Sequence, residues 1–269
     1  MHDLGYRKLV GEALWIQRNT GLHSMYATSM MSKCLCRPSE IAWKAGIHAM
    51  HYMYANRNTG ITYSSLGNLE PVCFYDSGYN QKHLGTKPQY SYIIMWAGAA
   101  IIWKSKRHKS TPNSVSEAEF MTLGHATRWI LWLRKVLTDM GFGEWVTRPT
   151  LMIGDNRNAR DWANEPMITD GNRAIEREYI TIREKVVAGQ ILPVWIETDR
   201  NCSDLGTKSQ VKPTLTEKLN RIACGLEEMP LPLGHKILFG PVEKPVLRGN
   251  PRGMDAVEHP VIATLRAER

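Results

Sequence analysis

Ser116-Glu-Ala-Glu-Phe-Met-Thr-Leu-Gly-His-Ala-Thr-Arg-Trp-Ile-Leu-Trp-Leu-Arg-Lys-Val-Leu-Thr-Asp-Met140 is the stretch from which the chain is best read. Phe120, Leu123, Thr127, Ile130, Leu133 and Leu137 recur at the three-and-four spacing of a helix with one apolar stripe. Trp129, Trp132, Val136 and Met140 widen that stripe and predict a largely buried helix. Gly141 then supplies a stop. The first turn carries Glu117 and Glu119, where a strongly apolar helix enters the fold. Ser116-x-x-Glu119 reads as a capping box, and acids suit a helix N-terminus. Three further acids, each at the end of a predicted element, suggest a second role for this turn.

Moving outward, Val72-Cys-Phe-Tyr-Asp76 is a short apolar strand ending in an acid, followed by Ser77-Gly78. Residues 90–97 and 99–106 read as two strands joined by a tight Ala-Gly-Ala turn. Thr150-Leu-Met-Ile-Gly-Asp155 is another apolar strand ending in an acid, and 156–164 a short helix. Residues 173–188 read as a helix with charged faces and 191–196 as a third buried strand. Cys202-Ser-Asp-Leu205 opens a further helical turn. The order is strand, hairpin, helix, strand, helix, helix, strand, helix. Such alternation predicts an α/β fold, a mixed sheet with helices on its faces.

The flanks differ in texture. Residues 1–65 form a first, mainly helical unit: two helical pieces within 6–31, a helix opened by Pro38-Ser-Glu40, and a short strand at 61–63. The unit 66–210 holds the strands, and Thr214-x-x-Glu217 opens a last helix within 211–226. Seven of the fourteen prolines fall in 213–269, and the tail 227–269 has no sustained period, which predicts an extended or disordered segment.

The 269 residues carry 34 Lys and Arg against 26 Asp and Glu, a formal charge of +8, which favours a polyanionic partner. Five cysteines without framework spacing suit free thiols in a reducing compartment. The first residues have no apolar core, so no signal peptide is read. The longest apolar run, 92–103, is too short to span a bilayer. An intracellular protein, cytoplasmic or nuclear and without membrane attachment, is expected.

Asp76 and Asp155 end strands, whereas Glu119 and Asp204 open helices. In an α/β sheet such ends can converge on one edge. Four converging carboxylates repel unless a cation lies between them, and hard oxygen donors suit Mg²⁺ or Mn²⁺. Two such ions, about 4 Å apart, hold a phosphodiester, activate water and stabilise the leaving oxygen.

The chain resembles the C-terminal part of a Ty1/copia-type retrotransposon Pol polyprotein: the end of a reverse transcriptase followed by a ribonuclease H domain. The matching stretches are Tyr6-Arg-Lys-Leu-Val-Gly11, Trp43-Lys-Ala45, Tyr75-Asp-Ser77, Ile102-Trp-Lys-Ser-Lys106, Ser116-Glu-Ala-Glu-Phe120, Trp132-Leu-Arg134, Asp155-Asn156, Ile182-Arg-Glu-Lys185 and Ser203-Asp-Leu-Gly-Thr-Lys208. Each is short, but their order and spacing extend over roughly residues 5–226. The resemblance implies a ribonuclease H-like fold with a five-stranded mixed sheet, and residues 1–65 as the end of a reverse transcriptase or a connection. It also implies that Asp76, Glu119, Asp155 and Asp204 are the catalytic acids and bind two Mg²⁺ (or Mn²⁺) ions. Glu119 is preferred to Glu117 because the family's Glu precedes the large apolar residue, here Phe120. Gly78 and Tyr79 depart from the family, which has an Asp and a Trp there. No Tyr-x-Asp-Asp polymerase motif is present.

The implied reaction is hydrolysis of the RNA strand of RNA/DNA hybrids. The implied partners are the hybrid and the rest of a reverse transcriptase polyprotein. A basic run, Lys104-Ser-Lys-Arg-His-Lys109, precedes the long helix, and Lys82, His83, Lys87, Arg157, Arg160 and Lys208 lie in or beside the acid-bearing segments. Lys104, Lys106, Arg107, Arg157 and Lys208 are the candidates for phosphate contacts. Ser77, Asn156 and Asn113 are polar candidates for 2′-hydroxyl contacts. The competing readings are a non-catalytic module that binds hybrid or structures a reverse transcriptase, and another metal nuclease of the same fold. The His/Cys pairs of an integrase are absent from the chain.

Overall fold

A computed structural model describes residues 3–64, 69–79, 87–164, 176–223, 228–230 and 236–238. Its centre is a sheet of five strands: β1 (Val72–Gly78), β2 (Gln89–Trp96), β3 (Ala99–Arg107), β4 (Thr150–Gly154) and β5 (Ile191–Trp195), in the spatial order β3-β2-β1-β4-β5. β2 runs antiparallel to both β1 and β3, whereas β1, β4 and β5 are mutually parallel. The β2–β3 turn places Ala97 and Gly98 both at positive φ, 52° and 80°. That is the geometry whose twist suits a two-residue hairpin. This is the five-stranded mixed sheet that the sequence resemblance implies.

β1 and β2 are buried on both faces, the edge strand β3 only at its start, and alternation divides the inward residues between two cores. Cys73 and Tyr75 of β1 face one core with Phe120, Leu123, Ile130 and Leu137 of the long helix. Val72 and Phe74 face the other, with Leu205 and Ile222. The long helix, α4 (Val115–Asp139), is preceded by α1 (Asp3–Asn19), α2 (Met25–Lys33) and α3 (Glu40–Ala55). α5 (Arg157–Asn164), α6 (Glu176–Val187) and α7 (Lys212–Ala223) follow. Leu22 and Met25, at the junction of α1 and α2, enter the second core of the sheet. Trp103 of β3 donates its indole N–H to Gln17 O at 2.8 Å.

α4 ends as its sequence predicts. Phe142 N–H reaches Leu137 O at 2.8 Å and Gly141 N–H reaches Thr138 O at 3.0 Å, with Gly141 at φ +88°. This pair of bonds with a left-handed glycine is a Schellman stop. The buried stripe is narrower than expected, however. Trp129, Trp132 and Met140 are exposed, and the two indoles meet edge to face at 5.7 Å. The sheet covers only the Phe120–Leu137 stripe, so the widening residues lie beyond its reach.

Residues 61–63, expected as a short strand, form none. Tyr63 hydroxyl donates to Ala100 O and Ser64 N–H to Ala97 O, single bonds to the hairpin rather than a ladder. Most of the 227–269 tail lies outside the described residues, as do 173–175, Lys82 and His83. Within the tail, β6 (Glu228–Pro230) and β7 (Lys236–Leu238) pair antiparallel, regular structure that the absence of period did not suggest.

Candidate active site at the sheet edge

Register alone brings the first two acids level. Phe74 of β1 pairs with Ile153 of the parallel β4, and Asp76 and Asp155 each follow two residues later. A step of two keeps the same face, so both acids emerge on the side of the second core. Asp204 arrives on that side from the 3₁₀ turn Cys202–Gly206, whose Leu205 and Cys202 anchor it in the same core. Carboxylate oxygens of Asp76, Asp155 and Asp204 all lie within 4.8 Å of one another.

The turn that carries Asp204 is fixed to β1 by Asn201, which is fully buried. Asn201 Nδ2 donates to Tyr75 O at 3.0 Å, next to Asp76, while its Oδ1 accepts from Ser203 N–H and Ser203 hydroxyl. Thr207 hydroxyl donates to Asp76 Oδ2. Gly154, between Ile153 and Asp155, has Tyr75's ring where a Cβ would stand, so any larger residue would displace that ring.

Glu119 enters from the opposite face, one turn into α4, and stands beside the three aspartates rather than among them. Ser77 N–H donates to its Oε1 at 2.9 Å, and its Oε2 is buried with no partner among the described residues. Glu117 does the capping. Ser114, not Ser116, is the N-cap, accepting from Glu117 N–H at 3.1 Å, and Glu117 Oε2 accepts from Asn113 N–H at 2.7 Å. The capping box therefore lies two residues earlier than the sequence suggested, which leaves Glu119 aimed at the sheet edge. Asp155 likewise has no part in capping α5: Asn156 Oδ1 accepts from Ala159 N–H at 3.0 Å.

The electrostatics are those of crowded carboxylates. Burial pushes the Asp76 carboxyl up to about 7, reinforced by Asp204 and Asp155. Burial also holds Glu119 well above the usual carboxylate range, with Asp76 and Asp155 adding to it and the Ser77 N–H opposing it. Two lysines offset part of this charge. Lys208 Nζ lies 2.7 Å from Asp204 Oδ1 and Lys218 Nζ 2.8 Å from Asp204 Oδ2. Lys208 is 48% exposed, whereas Lys218 is buried. Clustered aspartate oxygens, an orphan buried Glu119 oxygen, and Asp76 and Glu119 carboxyls raised by burial and by their acidic neighbours form a donor set that suits a hard divalent cation.

The expected nucleic-acid contacts divide into two groups. Lys104, Lys106 and Arg107 line a cleft along β3. Arg157 is exposed with its guanidinium 4.1 Å above the Trp195 ring. The others are engaged inside the protein. Ser77 is buried with its hydroxyl 3.2 Å from His108 Nε2, Asn156 caps α5, Arg160 pairs with Asp161, and Lys208 pairs with Asp204. Sequence reading did not single out Thr207, Asn201 or Lys218. Only Lys218 left a signal there: it falls on the Leu215-Leu219-Ile222 stripe of α7, where a charge needs a buried partner.

No family model matches the chain. It is similar to the Retrovirus-related Pol polyprotein from transposon RE1 of Arabidopsis thaliana, 26% identical over 222 residues, 81% of this chain and 14% of that protein. It is also similar to the Pol polyprotein from transposon TNT 1-94 of Nicotiana tabacum, 24% identical over 213 residues, 77% of this chain and 15% of that protein. The chain thus spans about a seventh of the length of the curated relatives it matches. Among solved structures it is similar to LC11-RNase H1, a ribonuclease H isolated from compost and solved in complex with an RNA/DNA hybrid, at 13% identity and TM-score 0.36. That match covers 49% of this chain and 88% of the other. Among the described residues, no helix is long and apolar enough to cross a membrane.

Proposed function

From a chain whose curated homologues are Ty1/copia-type retrotransposon Pol polyproteins, we propose a metal-dependent ribonuclease H that hydrolyses the RNA strand of RNA/DNA hybrids as part of a reverse transcriptase. The observation that carries this reading is the meeting of Asp76, Asp155 and Asp204 within 4.8 Å, with the orphan Glu119 oxygen at the same sheet edge. The four acids are proposed as the catalytic and metal-binding residues, and two Mg²⁺ or Mn²⁺ ions as the cofactor.

Bound divalent ions would supply charge neutralisation at the scissile phosphate and a nucleophile from water at neutral pH. The protein's part is positional. Thr207 and Asn201 fix Asp76 and the Asp204 turn, Ser77 N–H orients Glu119, and Lys218 holds Asp204 by one oxygen. The acids are thereby set on rigid elements before substrate arrives, as electrostatic stabilisation requires. Residues 1–65 are proposed as the end of a reverse transcriptase or its connection, and 66–210 as the ribonuclease H unit, with 211–226 as a closing helix.

The test is cleavage of a labelled hybrid with Mg²⁺, with Mn²⁺ and with EDTA, beside single-stranded RNA and duplex DNA. Selective cutting of the RNA strand of the hybrid, lost in EDTA, is expected. Equal cutting of all three substrates, or cutting that persists in EDTA, contradicts the proposal. Absence of cutting with intact hybrid binding would favour the non-catalytic module.

A further inference from the structure

A cleft of about 870 Å³ runs between the N-terminal helices and the edge strand β3. Its walls come from distant parts of the chain. Arg18 of α1 and Lys33 of α2 face Lys104, Lys106 and Arg107 of β3, with Lys109 just beyond; Lys87 also lines it. No acidic residue lines it among the described residues. This cationic crowding has a cost. Burial lowers the Lys104 ammonium, and Lys106 and Arg18 lower it further. Burial lowers Lys33 too, with Arg107 adding to the effect. Cations from two distant parts of the chain thus meet along one cleft, an arrangement that an anionic ligand would stabilise.

The cleft also leads to the acids. His108 lines it and lies 3.2 Å from Ser77 Oγ, while Ser77 N–H donates to Glu119. Ser105, in the same wall, donates its hydroxyl to Gly206 O in the turn that carries Asp204. Trp103 and Trp129 contribute flat aromatic surface beside the cations. Cations along a groove with aromatic surface between them suit a nucleic-acid backbone and its sugars. A compact acidic ligand would need only one end of so long a row.

We propose that this cleft is a second duplex-binding site, built jointly by α1, α2 and β3, which grips the phosphate backbone of the hybrid away from the scissile bond. This rests on the nucleic-acid reading of the acid site and adds that residues 1–33 contribute directly to binding. The contacts are to phosphate and sugar, so the cleft is indifferent to sequence. It makes the N-terminal helices part of what sets the distance between the held end of a duplex and the cut.

The experiment measures binding of a fluorescein-labelled RNA/DNA hybrid by anisotropy over a salt series. The full chain carries Asp155→Asn, so that the hybrid stays intact. Arg18→Gln with Lys33→Gln is compared with that background, and Lys106→Gln on the facing wall is measured separately. Neutralising the two N-terminal cations should weaken binding about tenfold at moderate salt and reduce the slope of log K against log salt by about two; Lys106→Gln should reduce it by about one. Both losses should be larger for a long hybrid than for one too short to reach from the acids into the cleft. Unchanged affinity and slope in variants with wild-type melting curves would overturn the proposal. So would equal displacement of the hybrid by polyglutamate, which would mark a generic acidic-chain site. If wild type binds hybrid through the cleft but never cuts it, the cleft stands and the nuclease reading falls.

Discussion

Lys218 Nζ lies 2.8 Å from Asp204 Oδ2 and 2.8 Å from Asn201 O, with Lys218 only 1% exposed. A helix that follows the acids in sequence thus reaches back to hold one of them. Breaking a buried pair by removing one partner leaves the other charge stranded, at roughly 3–5 kcal/mol. Lys208 still pairs with Asp204 Oδ1, so Lys218→Met should destabilise the metal-free protein by less than that full cost but measurably, by urea unfolding. Asp204→Asn in the same background should recover part of the loss. If the single and double variants unfold alike, the pair contributes little.

Glu117 and Glu119 are two residues apart and have different tasks. Glu117 caps, so Glu117→Ala should cost about 1 kcal/mol of stability and leave hybrid cleavage near wild type. Glu119→Gln keeps the shape and removes the charge, so cleavage should be lost while stability holds or rises. Reversal of these two outcomes in cleavage and thermal melts would place the site on Glu117.

Asp155→Asn should abolish cleavage yet leave the metal-free protein as stable as wild type or more so, because it relieves repulsion by roughly 1 kcal/mol or a few. It should also reduce the stabilisation gained from added Mg²⁺. Asn156 is the residue that caps α5, so Asn156→Ala should cost about 0.5–2 kcal/mol. An active Asp155→Asn protein with an unchanged Mg²⁺ melting shift would remove Asp155 from the site.

These variants also show which parts of the molecule can be read without coordinates. The five strands and α4 were legible because each has a strong local pattern, and β1 and β4 end in acids whose alignment follows from parallel register. The cap of α4 was misplaced by two residues because Ser114-x-x-Glu117 and Ser116-x-x-Glu119 are equally good boxes in sequence. Only the backbone's extended geometry at Ser114 separates them. Ser77 was expected to face substrate and is instead buried by His108, from the far end of β3, a contact with no local signature. Thr207 and Asn201 were illegible for the same reason, since their partners Asp76 and Tyr75 are more than a hundred residues away.

The acids also set a pH dependence. Asp76 is raised from 3.8 to about 7, so the native state holds a proton that the unfolded chain releases. Stability from this group is present below about pH 4 and is lost as pH rises through about 7. His108 and His125, both lowered to about 4 chiefly by burial, act with the opposite slope between about pH 4 and 6.5. The two effects overlap in a simple melt, but the histidine contribution is common to metal-free and Mg²⁺-bound protein. The Mg²⁺-induced rise in Tm should therefore be small at pH 5 and grow through pH 7, as the proton leaves Asp76. Melts with and without Mg²⁺ across that range check it, and a shift of constant size would contradict the proposed ligands.

Lys208 gives the sharpest separation of a metal role from a nucleic-acid role. Its ammonium sits 2.7 Å from Asp204 Oδ1, and Asp204, Asp76 and Asp155 all raise its affinity for the proton. A monovalent charge on a half-exposed side chain therefore occupies ground that a divalent ion would share. If the aspartates are metal ligands, Lys208→Ala removes a like charge from the cation's neighbourhood, and Mg²⁺ should bind more tightly, by about 1 kcal/mol or a factor of several at protein-like dielectric. Metal-free stability should fall over the same change, because Asp204 loses half of its compensation. If Lys208 instead serves chiefly to grip phosphate, Mg²⁺ affinity should be unmoved and hybrid affinity should weaken with a salt slope smaller by about one. Calorimetric titration with Mg²⁺, set beside hybrid binding in EDTA, separates the two. Tighter Mg²⁺ binding with little change in hybrid affinity is expected, because a side chain held by a buried carboxylate is poorly placed to reach a phosphate.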